Sequence, residues 1–284
     1  MTERIIALID GSIYSESVCH HAAWIARRTG APVELIHVIG RREAPEKLDL
    51  SGAIRLGARS RLLEELAEID ARRTKLMAER GRAILEDGRA IVATDGVSAV
   101  TTRLLRGDLV EVLGELEREA RVIVIGKRGE AADFAKGHIG SNLERIVRAA
   151  HRPVFVAARA FNPIRSVLIA HDGSRAARKA VEHVARSSFF RDLPVTVVTV
   201  GPDTAEARAR LAEAAEVLAA AGMEVRTRLV PGQPEAELGR MVDEDGFGML
   251  VMGAYGHSRI RSLVIGSTTT EMLRSCRVPV LLVR

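Results

Sequence analysis

The sequence is built from one pattern that occurs twice. The first half begins with Ile5-Ile-Ala-Leu-Ile-Asp-Gly-Ser, and the second half with Val167-Leu-Ile-Ala-His-Asp-Gly-Ser. Each half also ends in an apolar run that a proline introduces, first in His151-Arg-Pro-Val-Phe-Val-Ala and then in Cys276-Arg-Val-Pro-Val-Leu-Leu-Val. A repeat of this length in a chain of 284 residues predicts two similar domains. We assign the domains to residues 1–158 and 165–284.

Within each half, short apolar runs alternate with amphipathic segments. The run Ile5–Ile9 is apolar throughout, as expected for a parallel strand that is covered on both faces. The segment Ser15–Thr29 has the helical period and is followed by Gly30, a common helix terminator. Strands that alternate with helices predict parallel sheets with right-handed crossovers. The fold class is therefore α/β, with two tandem doubly wound domains, each a five-stranded parallel sheet flanked by helices.

The first half is the longer one. Asp10 and Gly126 are 116 positions apart, whereas their counterparts Asp172 and Gly253 are 81 apart, which predicts an insertion of 35 residues. We place it at about residues 41–96, with a helix over about residues 58–85. We expect the apolar stripe of this helix to pack on its own domain, and a partner-binding helix is the alternative. The stripe consists of Leu62, Leu66, Ile69, Leu76 and Met77.

A glycine motif follows the apolar run that begins at Met249. Glycine lets a backbone turn sharply and leaves its N–H groups unshielded. The N-terminus of a following helix adds further N–H donors and a partial positive charge. The motif therefore predicts a phosphate-binding loop, although an ordinary strand–turn–helix connection has the same pattern. The residues that carry it are Gly253, Gly256, Gly266, Ser267 and Thr268.

The first half has a second copy of the motif, which makes the phosphate hypothesis stronger. Its residues are Gly126, Gly129, Gly140 and Ser141. The spacer between the second and third glycines has ten residues here and nine in the second half. Lys127 and Arg128 lie inside this loop, where they could either add positive charge for a phosphate or be solvated loop residues.

Asp-Gly-Ser after the first strand, together with G-x-x-G-x(9)-G-S-T before the last helix, resembles the universal stress protein family. The resemblance covers nearly the whole chain as two tandem domains, and the second-half motif fits the family's ATP-binding form. It implies the strand order 3-2-1-4-5 and a bound ATP, which Mg²⁺ could accompany. It also implies that Asp172 contacts the adenosine and that backbone at Val200 meets the adenine, with Asp10 and Val38 as their first-half counterparts. The alternatives are that the aspartates cap the following helices and that the valines are ordinary strand core.

The sequence supports three kinds of function. The first is a cytoplasmic ATP-binding stress protein in which the nucleotide has a regulatory or stress-resistance role. The second is a slow ATPase or a self-phosphorylating enzyme, with Ser267 or a neighbouring threonine as the acceptor. The third is a scaffold that binds no nucleotide. We favour the first, because the sequence has neither a G-x-x-x-x-G-K-[ST] motif nor a G-x-S-x-G motif, and it places no distinct catalytic base.

Composition and charge narrow the possible partners. The net charge is +5, but basic and acidic residues are interleaved and only 3% of residues are aromatic, so nucleic acid is not expected as the main ligand. No apolar run approaches the roughly 20 residues of a membrane span, and the first strand begins too early for a secretory signal peptide. Cys19 and Cys276 are expected to be reduced thiols in the cytoplasm. From the resemblance we expect the halves to pair through their last strands as an intramolecular pseudo-dimer, and the chain could also form a homo-oligomer.

Overall fold

The computed structural model describes residues 3–40, 56–129, 140–254 and 266–284. The strands are β1 Arg4–Leu8, β2 Val33–Gly40, β3 Val100–Gly107, β4 Ala120–Gly126, β5 Val154–Ala157, β6 Val167–Ala170, β7 Val195–Val200, β8 Val225–Val230, β9 Met249–Gly253 and β10 Val280–Val283. The helices are α1 Ser15–Thr29, α2 Leu56–Thr94, α3 Leu109–Leu116, α4 Ser141–Ala149, α5 Arg175–Arg186, α6 Ala205–Ala220, α7 Pro234–Glu244 and α8 Ser267–Ser275. Short 3-10 turns lie at Glu117–Glu119 and Ser188–Phe190.

All ten strands belong to one sheet, whose order is β3-β2-β1-β4-β5-β10-β9-β6-β7-β8. Neighbouring strands within each half are parallel, so the predicted α/β class with a parallel-dominated sheet is confirmed. The two halves meet where β5 and β10 pair antiparallel, with Phe155 opposite Leu281. Each half therefore has its first and fourth strands side by side, and their carboxyl ends lie at the same edge of the sheet.

The apolar runs are buried because helices cover both faces of the sheet. One face packs on α1, α2, α5 and α6, and the other on α3, α4, α7 and α8. Strand residues contribute alternately to the two layers: Ile5 and Ala7 point into the first core, and Ile6 and Leu8 into the second. This is the pattern of period two that a strand covered on both faces requires.

The predicted insertion contains an element that the fold needs. Helix α2 is the crossover between β2 and β3, as α6 is between β7 and β8, but α2 has 39 residues and α6 has 16. The extra length is thus largely an extension of this crossover helix at its N-terminal end. Residues 41–55, the opening of the predicted insertion, lie outside the described residues.

Helix α2 also runs to Thr94, beyond the predicted end near Leu85, and it includes two internal glycines that pack against the sheet. A Cβ on Gly81 would lie 2.6 Å from Leu104 Cδ1, and one on Gly88 would lie 2.8 Å from Ile9 Cδ1. Glycine costs a free helix about 1 kcal/mol relative to alanine. Here it lets the helix approach the sheet closely, so tertiary packing overrides the local preference.

The apolar stripe of α2 does not pack as we expected. The face that contacts the sheet is formed by Ala78, Leu85 and Val92, which are buried. Ile69 and Leu76 are 61% and 56% exposed. The prediction that the stripe packs on its own domain is therefore wrong for these two residues, because that part of α2 extends past the positions that meet the sheet.

Polar strands occupy both ends of the sheet. β3 has the sequence VTTRLLRG and β8 has VRTRLV, and the Thr and Arg positions at the start of each are exposed. The central strands, in contrast, are buried almost throughout. Among the helices of the described residues, none combines the length and the apolar character that a membrane crossing would need.

Candidate functional site

The two residue groups predicted from sequence meet at the carboxyl edge of the sheet. Because β6 and β9 are parallel neighbours with Ala170 opposite Met252, Asp172 and the end of β9 at Gly253 lie side by side. The first half has the same arrangement between β1 and β4. We call these two places the second-half site and the first-half site. Edges of this kind, where the strand order reverses, are the usual ligand sites of open α/β sheets.

In each half, the fourth strand ends in a glycine because the first helix of that half approaches this position closely. A Cβ on Gly253 would lie 2.7 Å from Ala176 Cβ and 2.9 Å from the backbone nitrogen of Ala177. A Cβ on Gly126 would lie 2.6 Å from Tyr14 Cβ. These distances are shorter than real Cβ contacts, so in each half the glycine lets the fourth strand end directly against the start of the first helix.

Asp172 does not cap helix α5. That role belongs to Ser174, whose Oγ accepts a hydrogen bond from the Ala177 N–H at 3.1 Å. Asp172 instead forms a tight turn in which its Oδ1 accepts from the Ser174 N–H at 2.9 Å, and the residue is exposed. The helix-cap alternative is therefore wrong for Asp172, and its carboxylate faces the solvent at the edge of the sheet.

Asp10 does not cap α1 either, but its carboxylate accepts more hydrogen bonds from the chain than the Asp172 carboxylate does. Oδ1 accepts from the Ser12 N–H at 3.0 Å and from the Ser15 hydroxyl at 3.4 Å. On the other side, a Cβ on Gly129 would lie only 2.7 Å from Oδ2. The counterpart of Ser15 is Ala177, which has no hydroxyl. Within the described part of the chain, the Asp10 carboxylate therefore accepts one hydrogen bond more than the Asp172 carboxylate does, from the Ser15 hydroxyl.

The second glycine motif ends at the start of α8. Gly266 is the N-cap residue of this helix, and among the described residues a Cβ placed on it would come within 4 Å of Thr269 Oγ1 alone, at 3.8 Å. Ser267 follows as the first helical residue and is exposed. The helix start thus presents an exposed hydroxyl-bearing residue directly after its N-cap glycine. Gly256, the middle glycine of the motif, lies outside the described residues.

Sequence reasoning missed Glu235, in the first turn of α7. The hydroxyl of Thr268 donates a hydrogen bond of 2.7 Å to Glu235 Oε1, and this bond lowers the pKa of the carboxyl. The contact orients Thr268 and places a carboxylate beside the start of α8. The only sequence signal was an acid just after Pro234 at the start of a predicted helix, a position that is common in any helix.

The corresponding helix start in the first half is closed. Gly140 is buried, and its N–H donates to the Lys127 carbonyl at 3.2 Å. A Cβ on Gly140 would lie 3.2 Å from Arg128 Cα, so this loop folds back on the helix start. Ser141, the first residue of α4, is exposed. One of the N–H donors that a phosphate would need is therefore already paired with the chain itself.

Lys127 takes neither of the two roles considered from sequence. Its side chain is buried, and its Nζ donates a hydrogen bond to the carbonyl of Cys276, at the C-terminal end of α8. Burial lowers the pKa of Lys127. The reverse contact comes from Arg284, whose guanidinium donates to the Ala150 carbonyl at the C-terminal end of α4. Each of these two helices is thus capped by a cation from the other half.

The two valines lie where the resemblance requires, on the strand next to each aspartate. Val200 and Val38 are the half-buried residues near the carboxyl ends of β7 and β2. The preceding residue in each strand bonds across to the neighbouring strand: Thr199 Oγ1 donates to the His171 carbonyl at 2.7 Å, and His37 Nδ1 lies 2.8 Å from the Ile9 carbonyl oxygen. The backbone positions are therefore equivalent in the two halves.

The side chains that could hold a metal on their own are dispersed. Among the described residues, no group of three or more His, Cys, Asp or Glu side chains is close enough to bind an ion. Cys19 and Cys276 are both buried free thiols, and burial raises the pKa of Cys19 to about 12. Neither cysteine is therefore activated as a nucleophile.

Comparison with known proteins agrees with this geometry. The model of the universal stress protein family matches residues 1–158 and 163–284. Universal stress protein Slr1230 of Synechocystis sp. is 37% identical over 286 aligned residues, which cover 99% of this chain and 100% of the relative. The crystal structure of a universal stress protein from Archaeoglobus fulgidus DSM 4304 has a TM-score of 0.74 at 20% identity, covering 99% of this chain and 98% of its own.

A shorter solved structure is that of a universal stress protein in complex with cAMP, which is 27% identical to this chain. The aligned region spans 43% of this chain and 98% of the shorter protein, with a TM-score of 0.38. The two family matches and the relative that spans the whole length are sufficient: the chain belongs to the universal stress protein family, as a member with two tandem domains.

Proposed function

We propose that this protein binds ATP at the second-half site and that the nucleotide has a regulatory role. The observation that carries the proposal is that one edge of the sheet brings together an exposed Asp172, the close-packed end of β9 at Gly253 and the start of α8, with Gly266 as its N-cap residue and an exposed Ser267. A carboxylate, a glycine-rich turn and a helix N-terminus at one sheet edge are complementary to a hydroxylated sugar and to phosphates.

Each group has a separate task in this proposal. The Asp172 carboxylate accepts hydrogen bonds from the adenosine, and the backbone at Val200 lies beside the adenine. The phosphates occupy the space in front of Gly266 and accept hydrogen bonds from the first N–H groups of α8 and from the Ser267 hydroxyl. Glu235 holds Thr268 in place, and an accompanying Mg²⁺ would reduce repulsion between this carboxylate and the phosphates.

The first-half site is proposed to bind nucleotide more weakly. Gly140 donates its N–H to the chain, and the Asp10 carboxylate is bonded to Ser12 and Ser15. A nucleotide there would have to displace these contacts, and each displaced bond would cost about 1 kcal/mol.

We further propose that the antiparallel pairing of β5 with β10 makes the two halves an intramolecular pseudo-dimer that works in the cytoplasm. Support comes from the exchange of helix caps between the halves by Lys127 and Arg284. The two cysteines are free thiols, as is usual in a reducing compartment. The role is one of binding rather than catalysis, because phosphoryl transfer requires a positioned nucleophile that no residue here clearly provides.

The test is a calorimetric titration of the nucleotide-stripped protein with Mg-ATP. We expect one site per chain, and the Gly266→Val variant should weaken its affinity at least about tenfold, or 1.4 kcal/mol. The valine side chain would fill the space proposed for the phosphates, and among the described residues Thr269 is the single one within 4 Å of a Cβ at this position. The variant should therefore keep its fold, which circular dichroism and the urea midpoint can verify.

Val217→Gln, at an exposed position in the C-terminal half of α6, is a control that should leave the affinity unchanged. Unchanged affinity in Gly266→Val would remove the site assignment. Absence of binding in a folded wild-type chain would remove the nucleotide proposal and favour the scaffold alternative.

A further inference from the structure

We propose that the exposed part of α2 is a dimerisation arm that pairs antiparallel with the same segment of a second copy of this chain. We define the arm as residues 64–77. This inference is independent of nucleotide binding, because it rests on an exposed apolar seam, on a length of helix that the fold does not use, and on the order of charges along the arm.

The apolar seam consists of Ile69 and Leu76. They are separated by seven residues, so they lie on the same side of the helix two turns apart. Both are more than half exposed, and among the described residues they are the only two large hydrophobic side chains of which this is true. Two large aliphatic side chains at heptad spacing on one helix are what a partner helix can cover.

The arm is not needed to complete the domain. The sheet-contacting part of α2 begins at Ala78 and continues through Leu85 and Val92. In the second half, α6 makes the equivalent crossover with 16 residues, whereas α2 uses 39. The arm therefore lies before the portion of α2 that the domain core requires.

The charges of the arm are separated by sign. The first part carries four acids, and the second part carries three bases. Nearly all of these side chains are exposed, and the exception, Asp70, is half-buried. The acids are Glu64, Glu65, Glu68 and Asp70, and the bases are Arg72, Arg73 and Lys75.

This order of charges selects both the partner and its orientation. In a parallel pair of identical arms, acids would face acids and bases would face bases, which is destabilising. In an antiparallel pair with Ile69 opposite Leu76, Asp70 lies opposite Lys75, and Glu65 lies opposite Arg80 just beyond the arm. Arg72 and Arg73 face each other at the centre, but these two contacts between bases are outnumbered by the four acid–base contacts. A second copy of the same arm is therefore a complementary partner. The arm is about 21 Å long, so the interface is small and association should depend on concentration.

Sedimentation velocity of the full chain at increasing concentration tests the proposal. We expect a monomer–dimer equilibrium. The double variant Ile69→Gln/Leu76→Gln should raise the dissociation constant at least about tenfold, because it removes the apolar centre of the seam. Val217→Gln, which replaces an exposed aliphatic residue on α6, is the matched control and should change it by less than about twofold.

Charge reversal tests the orientation. Replacing Glu65 and Asp70 by lysine turns the acid–base contacts of an antiparallel pair into base–base contacts and should weaken the dimer. In a parallel pair the same change would replace one like-charge contact by another and leave the dissociation constant nearly unchanged. Mixing this variant with one in which Lys75 and Arg80 are glutamate should restore dimers.

Three results would overturn the proposal, and circular dichroism would verify that the variants remain helical. A wild-type chain that stays monomeric at every concentration would show that a second copy is not the partner. Dimers that survive the double seam variant would show that another surface pairs. Charge reversal without effect on the dissociation constant would exclude the antiparallel arrangement.

Discussion

The two halves of this protein share a fold but not the state of their binding edges. In the first half, Asp10 is bonded to Ser12 and Ser15, and Gly140 is bonded to Lys127. In the second half, Asp172 bonds to the Ser174 N–H and is exposed, and the Gly266 N–H makes no backbone hydrogen bond within the part of the chain that the structure describes. Duplication therefore preserved the strands and helices, while small changes at their ends altered what each edge can accept.

A few residue differences account for this contrast. Ser15 in the first half corresponds to Ala177 in the second, and Tyr14 corresponds to Ala176. The first spacer is also one residue longer. None of these changes disturbs a strand, which explains why the cores of the two halves can remain alike when the sites differ. Residues that the halves share should respond alike to substitution, whereas the residues at the two sites should respond differently.

The largest expected effect concerns a feature that both halves share. His21 and His183 occupy corresponding positions in α1 and α5, and burial lowers the pKa of each to about 4. The unfolded chain, with a histidine pKa near 6.5, binds more protons between pH 6.5 and 4, so the free energy of unfolding falls as the pH falls through this window. At pH 5 each histidine should lower it by about 2 kcal/mol relative to pH 8.

Urea unfolding at pH 8 and pH 5 measures this effect. The His21→Phe variant should lose about 2 kcal/mol less stability than the wild type over the same interval. In the wild type, His21 Nδ1 lies 2.7 Å from the Ser17 carbonyl oxygen, and Nε2 has no hydrogen-bond partner among the described residues. An equal pH dependence in the variant would show that His21 is not a buried neutral group, and His183→Phe gives the same test for the second half.

The second effect tests the difference between the sites. Asp172→Ala should weaken Mg-ATP binding about 10- to 100-fold, because an ionised acceptor contributes about 1.5–3 kcal/mol to a hydrogen bond. Asp10→Ala is the matched control at the corresponding position and should change the measured affinity by less than about threefold. The measurement is calorimetry on both variants. Equal losses would indicate that the first-half site is open in solution and that the contrast between the halves is wrong.

The smallest effect tests the connection between the halves. Lys127→Met should reduce the free energy of unfolding by about 1 kcal/mol, because it removes the donor to the Cys276 carbonyl but also removes the cost of burying a charge. Lys179→Met, at an exposed position of α5, should change it by less than about 0.5 kcal/mol. Urea midpoints compare the two variants. Indistinguishable midpoints would mean that the cap contributes nothing to stability.

The sequence was most informative where local signals and packing agree. α1 begins and ends as predicted, at Ser15 and Thr29, because Gly30 adopts the left-handed conformation that ends a helix. The repeat, the resemblance and the apolar strands were sufficient to predict the α/β class and the adjacency of Asp172 with Gly253. These features depend on short stretches of chain, or on a topology that the family already implies.

The missed features depend on contacts between distant residues. The helix was predicted to end near Leu85, but α2 continues past Gly88, where it approaches Ile9. Lys127 was expected to face a phosphate or the solvent, but it reaches a carbonyl 149 positions away. Glu235 had no distinctive local pattern, and its contact with Thr268 exists only because α7 and α8 are neighbours. No local pattern specifies such partners.

The polar outer strands affect whether a further strand can be added to this sheet. An unpaired strand edge is a template onto which another chain can add, with aggregation as the result. Here the joining of β5 to β10 leaves β3 and β8 at the outside, and both present threonine and arginine side chains there. Arg103, Arg226 and Arg228 form ion pairs with Glu34, Glu224 and Asp245, so a further strand would have to pair beside a row of charged side chains. Charged residues on an outer strand are one of the means by which natural sheets oppose the addition of another strand.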